Sequence, residues 1–256
     1  MHIEVAGLSH VGMKRNHNED NFLLVPEENL FIVADGMGGH ASGEIASKIA
    51  VTEVGEFFKL TSKDGDCTWP FKMDKSRNYD ENRVSTAVRL ANYRIFETSQ
   101  AEAKYRGMGT TIVTTYFGKD AAYVGHVGDS RVYRWIAAER KLVQVTEDHS
   151  LLNDYIRAKK LTPEEIENFP HKNVIVRALG MKDSVLVDVS RVEPQEGDIF
   201  LLCSDGLSGM VPDPKMQEII NKTPDLNKCV QQLIDAANAA GGTDNVTCVL
   251  ARWHSA

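Results

Sequence analysis

The chain has 256 residues, 42% of them hydrophobic, and a formal net charge of −7 at pH 7. That length fits one domain around a sizeable core, and an acidic chain without a run of Lys or Arg argues against nucleic acid as a partner, because duplex binding rests on neutralising phosphates. No apolar run approaches the roughly 20 residues of a membrane span, the N-terminus lacks the apolar stretch of a secretory signal, and Cys67, Cys203, Cys229 and Cys248 show no paired spacing, so a soluble cytoplasmic protein with reduced thiols and no zinc site is expected.

Taken in chain order, the first strand-like runs are 21–25 (NFLLV) and 30–34 (LFIVA), both bounded by turn-forming residues. Residues 41–58 follow with Ile45, Ala46, Ile49, Ala50 and Phe57 at helical spacing. The polar segment 61–82 reads as a surface excursion. In 82–98, Val84, Ala87, Val88, Ala91, Ile95 and Phe96 mark the face of a second helix. Strand-like runs then crowd together at 111–117, 121–127 and 130–136, and Gly118-Lys119-Asp120 is able to turn the chain between the first two. Runs at 185–191, 198–203 and 245–251 complete the strands, and Leu226, Val230, Leu233, Ile234 and Ala237 place a helix over 226–239. Connections this short make hairpins and not parallel crossovers, so the pattern predicts antiparallel sheets covered by helices on their outer faces, an α+β fold.

Several of these runs open onto an acidic residue beside a small one: Glu19-Asp20, Asp35-Gly36, Asp129-Ser130, Asp205-Gly206 and Asp244-Asn245. Each pair alone reads as an ordinary turn. Taken together, five carboxylate-bearing strand ends would repel one another if they converged without cations among them. An all-oxygen set suits a hard cation such as Mg²⁺ or Mn²⁺, and no His or Cys cluster points to zinc. Gly36-Met37-Gly38-Gly39-His40-Ala41 also fits the G-x-G-x-x-A pattern of dinucleotide binding, with Glu56 about twenty residues on. That reading fails because Asp35, directly before the first glycine, would repel a pyrophosphate and no parallel βαβ pattern follows.

The motifs RNHNED (15–20), VADGMGGHASGE (33–44), GMGTT (107–111), VGDSRVY (127–133), TEDHS (146–150), NVIVRALG (173–180), LLCSDGL (201–207) and GGTDNVT (241–247) together resemble the metal-dependent protein phosphatases, the type 2C serine/threonine phosphatases, in their compact bacterial form. They occur in family order, and the resemblance covers residues 5–251. The resemblance implies a four-layer α-β-β-α sandwich of two antiparallel sheets flanked by helices, with 1–256 as one catalytic domain and 151–172 as its flap. It implies Mn²⁺ or Mg²⁺, two or three per chain. Asp35 would bridge two of them with the Gly36 carbonyl as a further ligand, Asp205 and Asp244 would ligate one, and Glu19 and Asp20 would support the other, partly through water. Asp129 would hold a third together with Asp205, and Arg15 would bind the phosphate. The implied reaction is hydrolysis of phosphoserine and phosphothreonine in proteins by direct attack of a metal-bridging water, opposing Hanks-type kinases, in a monomer.

Two other classes stay open: a phosphatase-fold binding module without turnover, and a broader phosphoesterase of small phosphates. Met37 stands where many eukaryotic members carry a histidine proposed as general acid, and His40 is either its substitute or a capping residue. Asp148 and His149 either cap a helix starting near Leu151 or serve the site. Arg131 and Arg177 read as structural ion-pair partners.

Overall fold

The computed structural model describes residues 1–38, 42–63, 67–159, 161–169 and 174–255. Two antiparallel sheets form its centre. The first orders β1 (His2–His10), β11 (Val246–His254), β10 (Ile199–Cys203), β7 (Arg131–Ile136) and β8 (Lys141–Gln144). The second orders β2 (Asp20–Val25), β3 (Leu30–Met37), β5 (Ile112–Phe117), β6 (Ala122–Val127) and β9 (Asp188–Val192), with the two-residue β4 (Gly109–Thr110) paired to the far end of β3. Hairpins connect β2 to β3, β5 to β6 and β7 to β8, as the short polar connections require. The β2–β3 turn places Asn29 in the left-handed region, at φ 51, a conformation asparagine tolerates better than most residues.

The strand side chains alternate between two cores. On β3, Leu30, Ile32 and Ala34 face α1 (Ser42–Lys63) and α2 (Tyr79–Ala101), while Phe31 and Val33 join Val113, Phe200, Leu202 and Val249 between the sheets. On β10, Ile199, Leu201 and Cys203 face α6 (Asp213–Lys222) and α7 (Leu226–Ala239). Burial on both faces is why these strands read as unbroken apolar runs. Three apolar layers thus separate helix, sheet, sheet and helix, the α-β-β-α order that the resemblance implied. Among the described residues three short α-helices remain, α3 (Leu151–Lys159), α4 (Pro163–Glu167) and α5 (Asp205–Ser208), with 3₁₀ turns at Pro26–Glu28 and Ala103–Tyr105.

Several elements differ from the sequence expectations. β1, β8 and α6 were not expected, and β3 runs on through Asp35 and Gly36 to Met37. The 185–191 run becomes a strand only at Asp188, because the preceding residues arch over α2, where the Asn92 side chain donates to the Lys182 carbonyl and accepts from Gly180 N–H. Part of the 61–82 excursion lies down on the helices, with the Trp69 ring against Phe57 and Tyr79.

One buried ion pair pins the first sheet. Asp198 is fully buried; it accepts from Arg134 Nε at 2.7 Å and from the backbone N–H groups of Ala137 and Gln195. Asp198→Ala leaves the half-buried Arg134 guanidinium and two backbone N–H groups without their shared partner and is expected to cost about 3–5 kcal/mol. Urea denaturation checks this; a loss below about 1 kcal/mol, the level of an exposed pair, would contradict it.

Candidate active site

The two sheets meet at their ends through one carboxylate. Asp20 opens β2 directly opposite Asp35 on β3. Its Oδ2 accepts from Ser204 Oγ at 2.8 Å, just past β10, and from Thr247 Oγ1 at 2.7 Å on β11. Asp20 therefore ties the second sheet to the first. Its other oxygen is sealed from solvent and has no hydrogen-bond partner.

Around this junction the chain builds a cavity of ≈ 240 Å³ whose walls include Arg15, Glu19, Asp35, Gly36, Asp205 and Asp244. Asp35 is held by its backbone: its carbonyl accepts from Thr111 N–H at 2.9 Å and Thr110 Oγ1 at 2.8 Å, and its N–H donates to Thr111 Oγ1 at 3.2 Å. Gly36 has to be glycine because a Cβ there would sit 2.2 Å from the Gly43 carbonyl oxygen and 2.5 Å from that of Glu19. The tight packing brings Asp35 and Gly36 to one wall of the cavity. Asn245 positions the loop on the opposite side. Its Oδ1 accepts from Glu19 N–H at 2.8 Å, and its Nδ2 donates to the carbonyls of Val11 and His17. Arg15 is exposed at the rim, with Nη2 donating to Asp244 Oδ2 at 2.8 Å.

A second cavity of ≈ 350 Å³ shares Asp205 and Asp244 with the first and adds Asp129 and Asp148. Asp129 is held through its neighbour. Gly128, at φ +114, donates its N–H to His149 Nδ1 at 3.0 Å and accepts from His149 N–H at 2.8 Å. Burial pushes the His149 imidazole down to about 4, so it is neutral and free to accept at Nδ1. One Asp129 oxygen is buried without a partner.

The carboxylates strain against one another. Burial, followed by the charges of Asp20, Asp205 and Asp129, holds the Asp35 carboxyl well above the usual carboxylate range. Burial raises Asp20 and Asp129 to about 7 each, Asp20 against its hydrogen bonds and Asp129 with further repulsion from Asp205. Asp205 and Glu19 are raised chiefly by burial too. Oxygen-bearing side chains around shared cavities, two orphaned buried carboxylate oxygens and mutual repulsion that a bound cation relieves together fit hard divalent cations.

The other singled-out residues fall into place. Arg131 grips Asp148 through Nε and Nη2, the latter at 2.7 Å, and Arg177 pairs with Asp188 at 3.0 Å, both ion pairs as expected. Neither Asp148 nor His149 caps α3; Ser150 Oγ accepts from Asn153 N–H instead. His126, His149 and Asp188 bring three ligand-type atoms together, but Arg177 Nη1 lies 3.0 Å from both His149 Nε2 and Asp188 Oδ1, so a guanidinium already fills that place. Met37 lines the first cavity. His40 lies outside the described residues. Among the described residues all four cysteines are unpaired and no helix is long and apolar enough to cross a membrane. Sequence reasoning missed Ser204, Thr247, Thr111 and Asn245, each of which stands inside or beside a quoted motif.

The family model "Protein phosphatase 2C" matches residues 6–253. "Serine/threonine phosphatase stp" of Listeria monocytogenes is 36% identical over 247 residues, covering 93% of this chain and 91% of that protein. The Mycobacterium tuberculosis serine/threonine phosphatase PstP/Ppp superposes with a TM-score of 0.86 at 31% identity, covering all of both chains. The catalytic domain of PstP in complex with two manganese ions gives 0.78 at 31% identity, over 99% of each chain.

The raised Asp129 carboxyl carries a stability prediction. A folded-state value near 7, above the ordinary value of about 4, means that the folded chain holds this proton more tightly than the unfolded chain. The group therefore destabilises the chelated protein increasingly as pH rises from about 4 to about 7. Chelated Asp129→Asn is expected to melt above wild type at pH 8 and together with it at pH 4. Thermal melts in chelator decide this; a lower melting temperature for the variant at pH 8 would contradict it.

Proposed function

This chain belongs to the protein phosphatase 2C family, and from that membership and the acidic cavity we propose which of its residues carry the reaction. The enzyme is a metal-dependent protein-serine/threonine phosphatase using Mn²⁺ or Mg²⁺. Asp35, Asp205 and Asp244, with the Gly36 carbonyl, would hold the cations of the first cavity, and Glu19 would support them. Asp20 acts from behind, keeping the strand ends together. Asp129 would hold a further cation together with Asp205 in the second cavity. The observation that carries this assignment is the convergence of carboxylates from both sheets on two cavities that share Asp205 and Asp244.

When bound, the cations supply charge neutralisation of the phosphate and an acidified water as nucleophile, so the chain needs no nucleophile of its own. Arg15 stands at the cavity rim, where its planar fork donates to the outer phosphate oxygens. Its bond to Asp244 keeps the guanidinium over the mouth before substrate arrives. Met37 has no proton to give the leaving oxygen. We read 1–256 as one catalytic domain with 151–172 as its flap. We place it in the cytoplasm as a monomer, without nucleic-acid or membrane partners, acting on phosphoserine and phosphothreonine proteins supplied by a serine/threonine kinase. The unpaired cysteines agree with a reducing compartment.

Hydrolysis of a phosphothreonine peptide after chelation, with and without added Mn²⁺, tests the assignment as a whole. Activity is expected to vanish with chelation and return with Mn²⁺; a metal-free enzyme at full rate would overturn it. Faster hydrolysis of nucleotides than of phosphopeptides would favour the small-molecule reading, and metal binding without turnover would favour the binding module.

Two variants test the residues. Asp35→Asn is expected to fold and to lose at least about a hundredfold in turnover, since it holds the ions that supply the nucleophile; near-normal turnover would remove it from the site. Arg15→Ala should lose roughly ten- to a hundredfold, the worth of one charged hydrogen bond, mostly in KM because the arginine holds phosphate before and during attack. Unchanged steady-state constants would show that Arg15 does not touch the phosphate.

A further inference from the structure

Beside the carboxylate cavity lies a groove of ≈ 350 Å³ that shares Met37 and Ile175 with it. Its far wall is the arch 181–186. Met181 and Leu186 are 45% and 65% exposed, and Val176 beside them is 46% exposed, a concentration of apolar surface on an acidic protein. Backbone pairing fixes the groove to the cavity. Gly36 pairs with Thr110, and Thr110 exchanges both backbone hydrogen bonds with Leu179, at 2.9 and 3.2 Å. The missing side chain at Gly109 leaves room for Met181, whose Cε would lie 2.4 Å from a Cβ there. Met37, Gly109 and Met181 thus form one apolar strip from the cavity wall outward.

The groove carries positive charge as well. Lys182 lines it and has no ion-pair partner among the described residues, and Arg177 borders it with its charge already met by Asp188. Among the described residues no acidic side chain lines it. Past Leu186 and Val185 the groove runs into a further hollow of ≈ 390 Å³ where Lys72, Arg77 and Arg89 outnumber Asp74. In a chain of net charge −7 this is a local reversal of sign.

We propose that this groove receives the substrate polypeptide beside its phosphorylated residue, selecting a bulky apolar side chain against Met181 and Leu186 and acidic residues toward Lys182 and the basic hollow. The proposal rests on the phosphatase reading and adds to it the chemistry of the preferred substrate, an acidic phosphopeptide with an apolar anchor. The shared Met37 and Ile175 and the reversed charge argue for this occupant: the groove is continuous with the cavity, so a chain whose phosphate lies among the carboxylates is able to run out past them. Charge then selects among such chains, because a flanking acid gains from Lys182 and a flanking lysine does not.

The test compares two substrates that share a phosphate. p-Nitrophenyl phosphate fills only the carboxylate cavity, whereas a phosphothreonine peptide with a leucine and two glutamates beside the threonine also reaches the groove. Met181→Glu and Leu186→Glu are each expected to lower kcat/KM for the peptide about tenfold through KM, the worth of one partly buried aliphatic contact, and to leave p-nitrophenyl phosphate within about twofold. Lys182→Glu should reverse the preference for that peptide over its glutamate-to-lysine counterpart. Equal losses on both substrates, or wild-type peptide kinetics in all three variants, would overturn the groove assignment while leaving the phosphatase intact. Failure of the wild type to hydrolyse either substrate with Mn²⁺ would overturn the phosphatase reading and this one with it.

Discussion

Asp20 accepts hydrogen bonds from Ser204 and Thr247 across the junction of the two sheets, and the rest of the site depends on that contact. A sandwich holds its sheets together through apolar side chains in the middle, and nothing in that packing fixes how the strand ends meet. Here a carboxylate does so with two short hydrogen bonds. Because Asp20 stands opposite Asp35 in the β2–β3 register, fixing one fixes the other. Asp205 follows Ser204, and Asp244 precedes the strand that carries Thr247. The same two hydroxyls that hold Asp20 therefore set the distance between the acidic residues of the two sheets.

This arrangement is costly. A carboxylate buried without a partner costs several kcal/mol, and Asp20 and Asp129 each leave one oxygen in that state. The scaffold answers with backbone contacts that need no charge. Thr110 and Thr111 hold the Asp35 backbone, His149 holds both peptide groups of Gly128, and Asn245 clamps the loop that carries Glu19. Rigid backbone around repelling side chains is the condition for ion binding in a preformed site, because the repulsion is relieved on binding and little has to reorder.

The apolar groove extends the same economy. One ladder, from Gly36 through Thr110 to Leu179, carries rigidity from the ion-binding wall to the arch 181–186. The Gly180 backbone, at φ +85, and the hydrogen bond its N–H donates to Asn92 Oδ1 set the arch at that height.

The sequence by itself determined a good deal. Unbroken apolar strands, short polar turns and three amphipathic helices were enough for antiparallel sheets with helices outside, because periodicity and turn chemistry are local. The acidic pairs at strand ends were legible for the same reason, and the ordered motifs named the family. Only the tertiary structure decided the remainder. β1 is recognisable as a strand because β11 runs nine residues and pairs with it from His2↔His254 onward, and β8 is an edge strand of four residues, too short for its alternation of exposed and half-buried side chains to stand out in the sequence. Ser204, Thr247, Thr111 and Asn245 are ordinary polar residues until four distant segments come together. Asp20 reads like any carboxylate in RNHNED, yet one of its oxygens braces the two sheets through Ser204 and Thr247. Which carboxylates share a cavity, where Arg15 is tethered and which apolar residues line one groove are long-range facts, set by how two sheets are docked and not by the spacing of residues along the chain.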